Sequence, residues 1–240
     1  MFKAKVFLCG NIIEVYEYDK PIFSGYKDSK GRKGRRSCAS DDEKIKNREK
    51  VCRRAMNDLR RLINTNFKRG SSRFITLTFK DNVQDLKYSN YEFKKFVKRF
   101  EYYLGYKVQY TVVIEFQKRG AIHYHAIFYN IPSKLDLPRC REIWGHGSFN
   151  CKRIDNVDNV GAYMVKYLSK NIDDERLKGN KMYFNSRGLV KPKEIKEPVL
   201  VSALVGSLQV QAPKFENSYD IKYNDTVQNV VHYKQYIIKD

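Results

Sequence analysis

Apolar positions recur at helical spacing over residues 41–66. Ile45, Val51, Cys52, Ala55, Met56, Leu59, Leu62 and Ile63 alternate with Lys and Arg, and Asp41 or Asp42 is placed to cap the first turn. Such a helix packs by one face and presents a basic one. Residues 90–104 repeat the pattern through Phe93, Phe96, Val97, Phe100 and Leu104, and residues 158–170 form a third helix behind Asp158 or Asn159. Elsewhere the period is two. Phe74-Ile75-Thr76-Leu77-Thr78-Phe79 reads as a strand, and residues 109–117 and 121–129 read as two strands joined by Lys118-Arg119-Gly120. Glycine suits the left-handed last position of a three-residue hairpin loop. Residues 2–18 form one or two strands turning at Gly10-Asn11, and strand-like runs return at Val199-Leu200-Val201, Ser207 to Gln211 and Val230 to Ile238. Helices and strands mixed in this order predict an α+β fold.

Charge narrows the partner. The 240 residues carry 47 Lys+Arg against 27 Asp+Glu, a net +20 with pI near 9.7, so a polyanion is the expected ligand and nucleic acid the leading one. Much of this charge gathers in Lys27 to Arg36, where Lys30, Arg32, Lys33, Arg35 and Arg36 stand among glycines and polar residues. The 26–40 segment therefore reads as a basic loop, either a phosphate-grasping arm or a solvated linker. No run of about 18 apolar residues could span a membrane, and the first residues lack the pattern of a secretion signal. No Gly-x-x-x-x-Gly-Lys-Ser/Thr occurs, so no P-loop motor is expected. Five scattered cysteines without Cys-x-x-Cys fit a reducing compartment. Cys140, His146 and Cys151 lie close in sequence but lack a nearby fourth zinc ligand, and read as structural, with a zinc-dependent binder as the alternative.

His123-Tyr124-His125 puts two imidazoles at i and i+2 of a strand, so both point to one face. With a three-residue loop Gln117 pairs with Ala121, and Glu115 then sits opposite His123. Two imidazoles and a carboxylate converge in a set suited to a divalent metal. Val112, Ile114, Phe116, Ile122, Tyr124, Ala126 and Phe128 take the other face; a one-residue slip would bury Glu115. A second constellation lies in Tyr163 to Lys170. At about 100° per residue, Tyr163, Lys166, Tyr167 and Lys170 share an arc of about 100°, while Val160, Met164, Val165 and Leu168 fill the buried stripe. Two phenols flanked by two ammoniums suit nucleophilic attack on a phosphodiester. One turn separates the tyrosines, a rise of about 6 Å, so both reach one phosphate only if the helix or the DNA shifts.

Together these stretches resemble the HUH endonucleases, and within them the two-tyrosine rolling-circle replication initiators of single-stranded-DNA phages and plasmids. Arg119 to His125 is similar to the family's histidine motif, Phe74 to Phe79 to its first strand motif, and Gly161 to Lys170 to its tyrosine motif; Trp144-Gly145-His146-Gly147 and Ser186-Arg187-Gly188-Leu189 also look like patterns of such proteins. The resemblance covers roughly residues 72–190 and leaves residues 1–70 and 200–240 unmatched. It implies a single HUH domain over 1–240, ferredoxin/RRM-like, with a central antiparallel sheet of about five strands packed with helices. The basic loop at 26–40 and a strand region at 198–240 would be additions. It further implies that Mg2+ or Mn2+ is held by His123, His125 and Glu115, and that Tyr163 or Tyr167, aided by Lys166 and Lys170, nicks single-stranded origin DNA through a 5′-phosphotyrosine and later religates it. DNA contacts would come from the basic loop, Arg119 and Arg187. A host helicase and DNA polymerase would be the partners, in the cytoplasm of a bacterial host. Another HUH enzyme, such as a relaxase or transposase, and a non-catalytic origin-binding protein remain alternatives.

Overall fold

The computed structural model describes residues 1–23, 41–170, 174–177, 179–223 and 226–238. Lys30, Arg32, Lys33, Arg35 and Arg36 lie outside the described residues. In chain order the elements are β1 (Phe2–Cys9), β2 (Ile12–Ile22), α1 (Asp41–Asn66), β3 (Arg73–Phe79), α2 (Leu86–Leu104), β4 (Tyr110–Phe116), β5 (Ile122–Phe128), α3 (Leu137–Trp144), β6 (Gly147–Lys152), α4 (Val160–Ser169), a 3-10 turn (Glu175–Leu177), β7 (Tyr183–Asn185), β8 (Lys193–Ile195), α5 (Pro198–Leu208), β9 (Phe215–Tyr223) and β10 (Thr226–Ile237). The fold is α+β, as expected, but it holds two five-stranded antiparallel sheets, ordered β8-β1-β2-β10-β9 and β6-β3-β5-β4-β7. Each sheet belongs to its own compact unit, one formed by residues 1–54 and 191–240 and the other by residues 55–190.

In the first unit β1 and β2 form a hairpin and β10 joins from the far end of the sequence, Tyr233 opposite Tyr16. The strand expected at 199–211 is instead α5. Two local signals outweigh the β-branched run: the Glu197 carboxylate accepts from the amides of Val199 and Leu200, and Pro198 opens the helix. Val201, Leu204, Val205 and Leu208 then fall at helical spacing and pack on Val6, Val15 and Tyr236.

The second unit carries both sequence constellations. Its sheet is covered on both faces. On one face, Phe93, Phe96 and Phe100 of α2 and Ile143 and Trp144 of α3 bury the row Ile114, Ile122, Tyr124, Ala126 and Phe128. On the other, Leu59 and Ile63 of α1 and Val160, Met164 and Leu168 of α4 close over Phe74, Val113 and Ile127. A strand buried on both faces loses its polar alternation, which is why β5 is nearly all apolar apart from its histidines.

α1 and α4 meet at close range. A Cβ on Gly161 would collide with the carbonyl oxygen of Arg60, so glycine is the residue the contact admits. Asn64, buried beside it, accepts a 2.7 Å hydrogen bond from the Gly161 amide and donates one of 3.0 Å to the Asn159 side chain, which caps α4. Alanine ordinarily favours a helix over glycine by about 1 kcal/mol; here the collision with backbone reverses the sign. Gly161→Ala should destabilise the protein by about 1–3 kcal/mol, as overpacking does, read as a lower urea midpoint. An unchanged or raised midpoint would show that the two helices do not meet there.

Candidate metal and tyrosine site

The hairpin register places the donors. Glu115 pairs with His123, and Val113 with His125, across β4 and β5, while Gln117 closes on Ala121 around a loop in which Gly120 has φ 92°. Glu115, His123 and His125 therefore share a face, and their ligand atoms all lie within 4.8 Å of one another. Among the described residues this is the only group of three such side chains that could hold a metal ion. The imidazoles lie 4.7 Å apart by ring centroid. His125 Nε2 meets Glu115 Oε2 in a close hydrogen bond, and Thr78 Oγ1, from the neighbouring strand β3, lies 2.7 Å from His123 Nε2.

Burial decides the charge states. It pushes the His123 imidazole down to about 4, with the charge of His125 pressing the same way. His125 is also lowered by burial, against the opposing hydrogen bond to Glu115. Burial would raise the Glu115 carboxyl, but its hydrogen bonds with His125 and Lys170 outweigh that and hold it below the ordinary carboxylate range. At neutral pH the cluster thus offers two neutral imidazoles and a carboxylate, a donor set that fits a divalent cation. His125 Nδ1 is buried without a hydrogen-bond partner, so nothing in the protein locks this ring into one tautomer.

The tyrosine helix lies over the same patch. Asn159 caps α4 by accepting from the Ala162 amide. Its phenols do not sit a turn apart at their reactive ends: the Tyr163 and Tyr167 hydroxyls are 2.9 Å from each other. Their Cα atoms are separated as expected, but side chains at i and i+4 share a helix face and long ones converge. The Tyr167 ring stacks on His125 at 3.8 Å between centroids, and Phe74 packs against His125, Tyr163 and Tyr167 at 5.7, 5.4 and 5.8 Å. Burial holds the Tyr167 phenol well above its ordinary range, and the hydrogen bond with Tyr163 and the charge of Glu115 act in the same direction.

The other sequence candidates separate. Lys170 joins the cluster: its Nζ donates to Glu115 Oε1 at 3.1 Å and stands 5.3 Å from the Tyr167 ring centre. Lys166 is exposed, and no hydrogen bond or ion pair ties its side chain to the cluster among the described residues. Arg119 spends its guanidinium on the protein, donating to the carbonyls of Phe79 and Lys80 and to Gln117 Oε1, which braces the hairpin loop against the end of β3. Arg187 is exposed beyond β7. Cys140 is buried with its thiol pushed up to about 12, and His146 pairs with Glu92 at 2.9 Å, so neither offers the thiolate-rich set a structural zinc needs. Thr78, Phe74, Asn64 and Gly161 were not singled out by the sequence. Period two does place Phe74, Thr76 and Thr78 on one face, but only the pairing of β3 with β5 shows which face that is.

Mn2+ binding should be lost in His123→Ala and His125→Ala and weakened less in Glu115→Gln, which removes a charge and keeps the shape. Because both imidazoles are already neutral, affinity should stay level from about pH 8 to about pH 6 and fall only as protons compete at lower pH. Titration followed by electron paramagnetic resonance checks both; a midpoint at about pH 6.5, the ordinary histidine value, would contradict the burial argument.

Residues 72–172 match the sequence model of the Replication-associated protein ORF2 family, a family of rolling-circle replication initiators. No curated protein and no solved structure gives a significant match. The matched segment runs from the start of β3 through α4, so it contains Glu115, His123, His125, Tyr163 and Tyr167, and it points to a role in replication initiation.

Proposed function

We propose that the chain is a two-tyrosine HUH endonuclease that nicks and rejoins single-stranded DNA at a replication origin, starting and finishing rolling-circle synthesis. The observation that carries this reading is the contact of two phenol hydroxyls, 2.9 Å apart, above a carboxylate and two neutral imidazoles. An origin-binding protein without chemistry has no need of such a grouping. The family match supplies the origin as the place of action.

His123, His125 and Glu115 would hold the ion, Mg2+ or Mn2+, which supplies Lewis-acid activation of a phosphoryl oxygen when bound. The chain does the rest. The phenol oxygen of one tyrosine attacks phosphorus; the bond from phosphorus to the 3′-oxygen breaks; the phenol gives up its proton and the 3′-oxygen gains one. The product is a 5′-phosphotyrosine and a free 3′-hydroxyl, from which a host polymerase extends while a host helicase opens the duplex. Tyr167 is held protonated by its surroundings, so its partner hydroxyl at hydrogen-bond distance is the first group available to share that proton. Lys170, beside the Tyr167 ring and Glu115, supplies positive charge next to the incoming phosphate. The phosphoester bond keeps the energy of the broken linkage, so rejoining needs no nucleotide. With the hydroxyls in contact, a second attack can occur at the place of the first, without a turn of helix having to slide past. The cytoplasm of a bacterial host is the matching compartment.

Incubation with labelled single-stranded origin DNA and Mn2+, followed by a denaturing gel, tests the reading. Tyr163→Phe and Tyr167→Phe should each retain some covalent adduct, and the double variant none, because phenylalanine keeps the ring and removes the hydroxyl. Single variants should nick but release circles poorly, since completion needs a second attack while the first tyrosine is occupied. Adduct in the double variant, or none in the wild type with metal bound, would refute the proposal.

A further inference from the structure

The outward face of α2, on the opposite side of the sheet from the metal and tyrosine cluster, carries a row of residues that packing does not explain. At about 100° per residue, Tyr88, Tyr91, Lys95, Lys98 and Tyr102 fall within an arc of about 80°. Tyr102 is 91% exposed and Tyr91 60%. Single exposed aromatics are ordinary on protein surfaces; a row of them interleaved with lysines along one helix is a different pattern, and Tyr106, just past the helix end at Gly105, extends it. Lys95 Nζ lies 5.1 Å from the Tyr91 ring centre. Two shallow grooves of about 590 and 650 Å3 flank the row, and Lys98 and Tyr102 line both. The nearby carboxylates are already matched: Glu92 by Lys95 at 3.0 Å, Glu101 by Lys107 at 2.7 Å and Glu142 by Arg139 at 2.8 Å. Lys94 and Lys98 are exposed and have no carboxylate partner among the described residues.

We propose that this face is a second binding surface for single-stranded DNA, separate from the site where the strand would be cut. Open tyrosine rings offer stacking platforms that any base can use, and unpaired lysines track the phosphates. From Tyr88 to Tyr102 the helix rises about 21 Å, room for a few nucleotides. A duplex keeps its base faces stacked internally, so the rings select a single strand. An acidic protein partner could use the lysines but has no requirement for a row of rings.

The test is a binding measurement on the full chain in chelator, so that it stands apart from any cleavage. Fluorescence anisotropy with a labelled oligothymidylate of about 30 nucleotides, several times the site size of a single binding fold, is compared across salt concentrations. The pair Tyr91→Ala/Tyr102→Ala should weaken binding at least about tenfold, from a loss of about 1–3 kcal/mol per stacked base. Tyr91→Phe/Tyr102→Phe should bind as wild type, because the ring is what stacks. Lys94→Ala/Lys98→Ala should make the salt dependence shallower by about 1.4, at about 0.7 per phosphate contact on a single strand. Affinity for a duplex of the same length should be unchanged in the tyrosine pair. All four positions are at the surface, and thermal melting confirms that each variant folds. The proposal is overturned if the alanine pair binds the oligonucleotide like wild type, or if the phenylalanine pair loses as much as the alanine pair.

Discussion

The tyrosine helix is seated by a contact that only a backbone without a side chain allows. Where α4 crosses α1, Gly161 stands against the Arg60 carbonyl, and Asn64 ties the Gly161 amide and the Asn159 cap together. The position of Tyr163 and Tyr167 follows from that seat. One turn beyond it, the phenols come down over His125 and Phe74, and Lys170 reaches Glu115. Had α4 stood off by the width of a methyl group, the stacking of Tyr167 on His125 would open and the hydroxyls would leave the donor cluster. The chemistry proposed for the site thus depends on helix packing as much as on the functional groups.

A second constraint comes from β5. It is buried on both sides, so each of its residues is assigned to one of two covered faces with no solvent-facing alternative. His123 and His125 are the polar exceptions, and the cost of burying them is met by keeping them neutral and hydrogen-bonded. That same neutrality leaves their nitrogens ready for a cation. Burial here prepares the ligands: it removes protons from the imidazoles at a pH where exposed histidines would be partly charged. The effect on Tyr167 is opposite, since burial disfavours its phenolate. An acid that holds its proton beside bases that have released theirs is an arrangement in which a bound cation and a phosphate change the balance most.

Much of this site was legible in the sequence because it depends on short-range geometry. Period two puts His123 and His125 together, a three-residue loop sets Glu115 opposite, and helical spacing gathers Tyr163, Tyr167 and Lys170 on one side. The observed register and φ of Gly120 agree with that reasoning. What could not be read was set by contacts distant in sequence. Thr78 and Phe74 enter through the pairing of β3 with β5, and Asn64 acts across 97 positions on Gly161. The second sheet was hidden for the same reason: β10 pairs with β2 across the length of the chain. The helix at Pro198–Leu208 was lost to a different cause, β-branched composition read ahead of the Glu197-Pro198 start signal. The hydroxyl contact between the tyrosines was missed because helix rise measures the separation of backbones and says little about the ends of long side chains.

The central claim is that the phenols above the histidine and glutamate cluster attack phosphorus. The most direct measurement maps the covalent product. Trypsin cleaves after Arg153, Lys166 and Lys170, so Tyr163 and Tyr167 fall in separate peptides, residues 154–166 and 167–170. Wild-type protein treated with single-stranded origin DNA and Mn2+ is digested with nuclease and trypsin and examined by mass spectrometry. The account predicts a nucleotide attached through its 5′-phosphate to Tyr163 or Tyr167 in these two peptides. A nucleotide on any of the other 16 tyrosines of the 18 in the chain, or strand cleavage without covalent attachment, would contradict it.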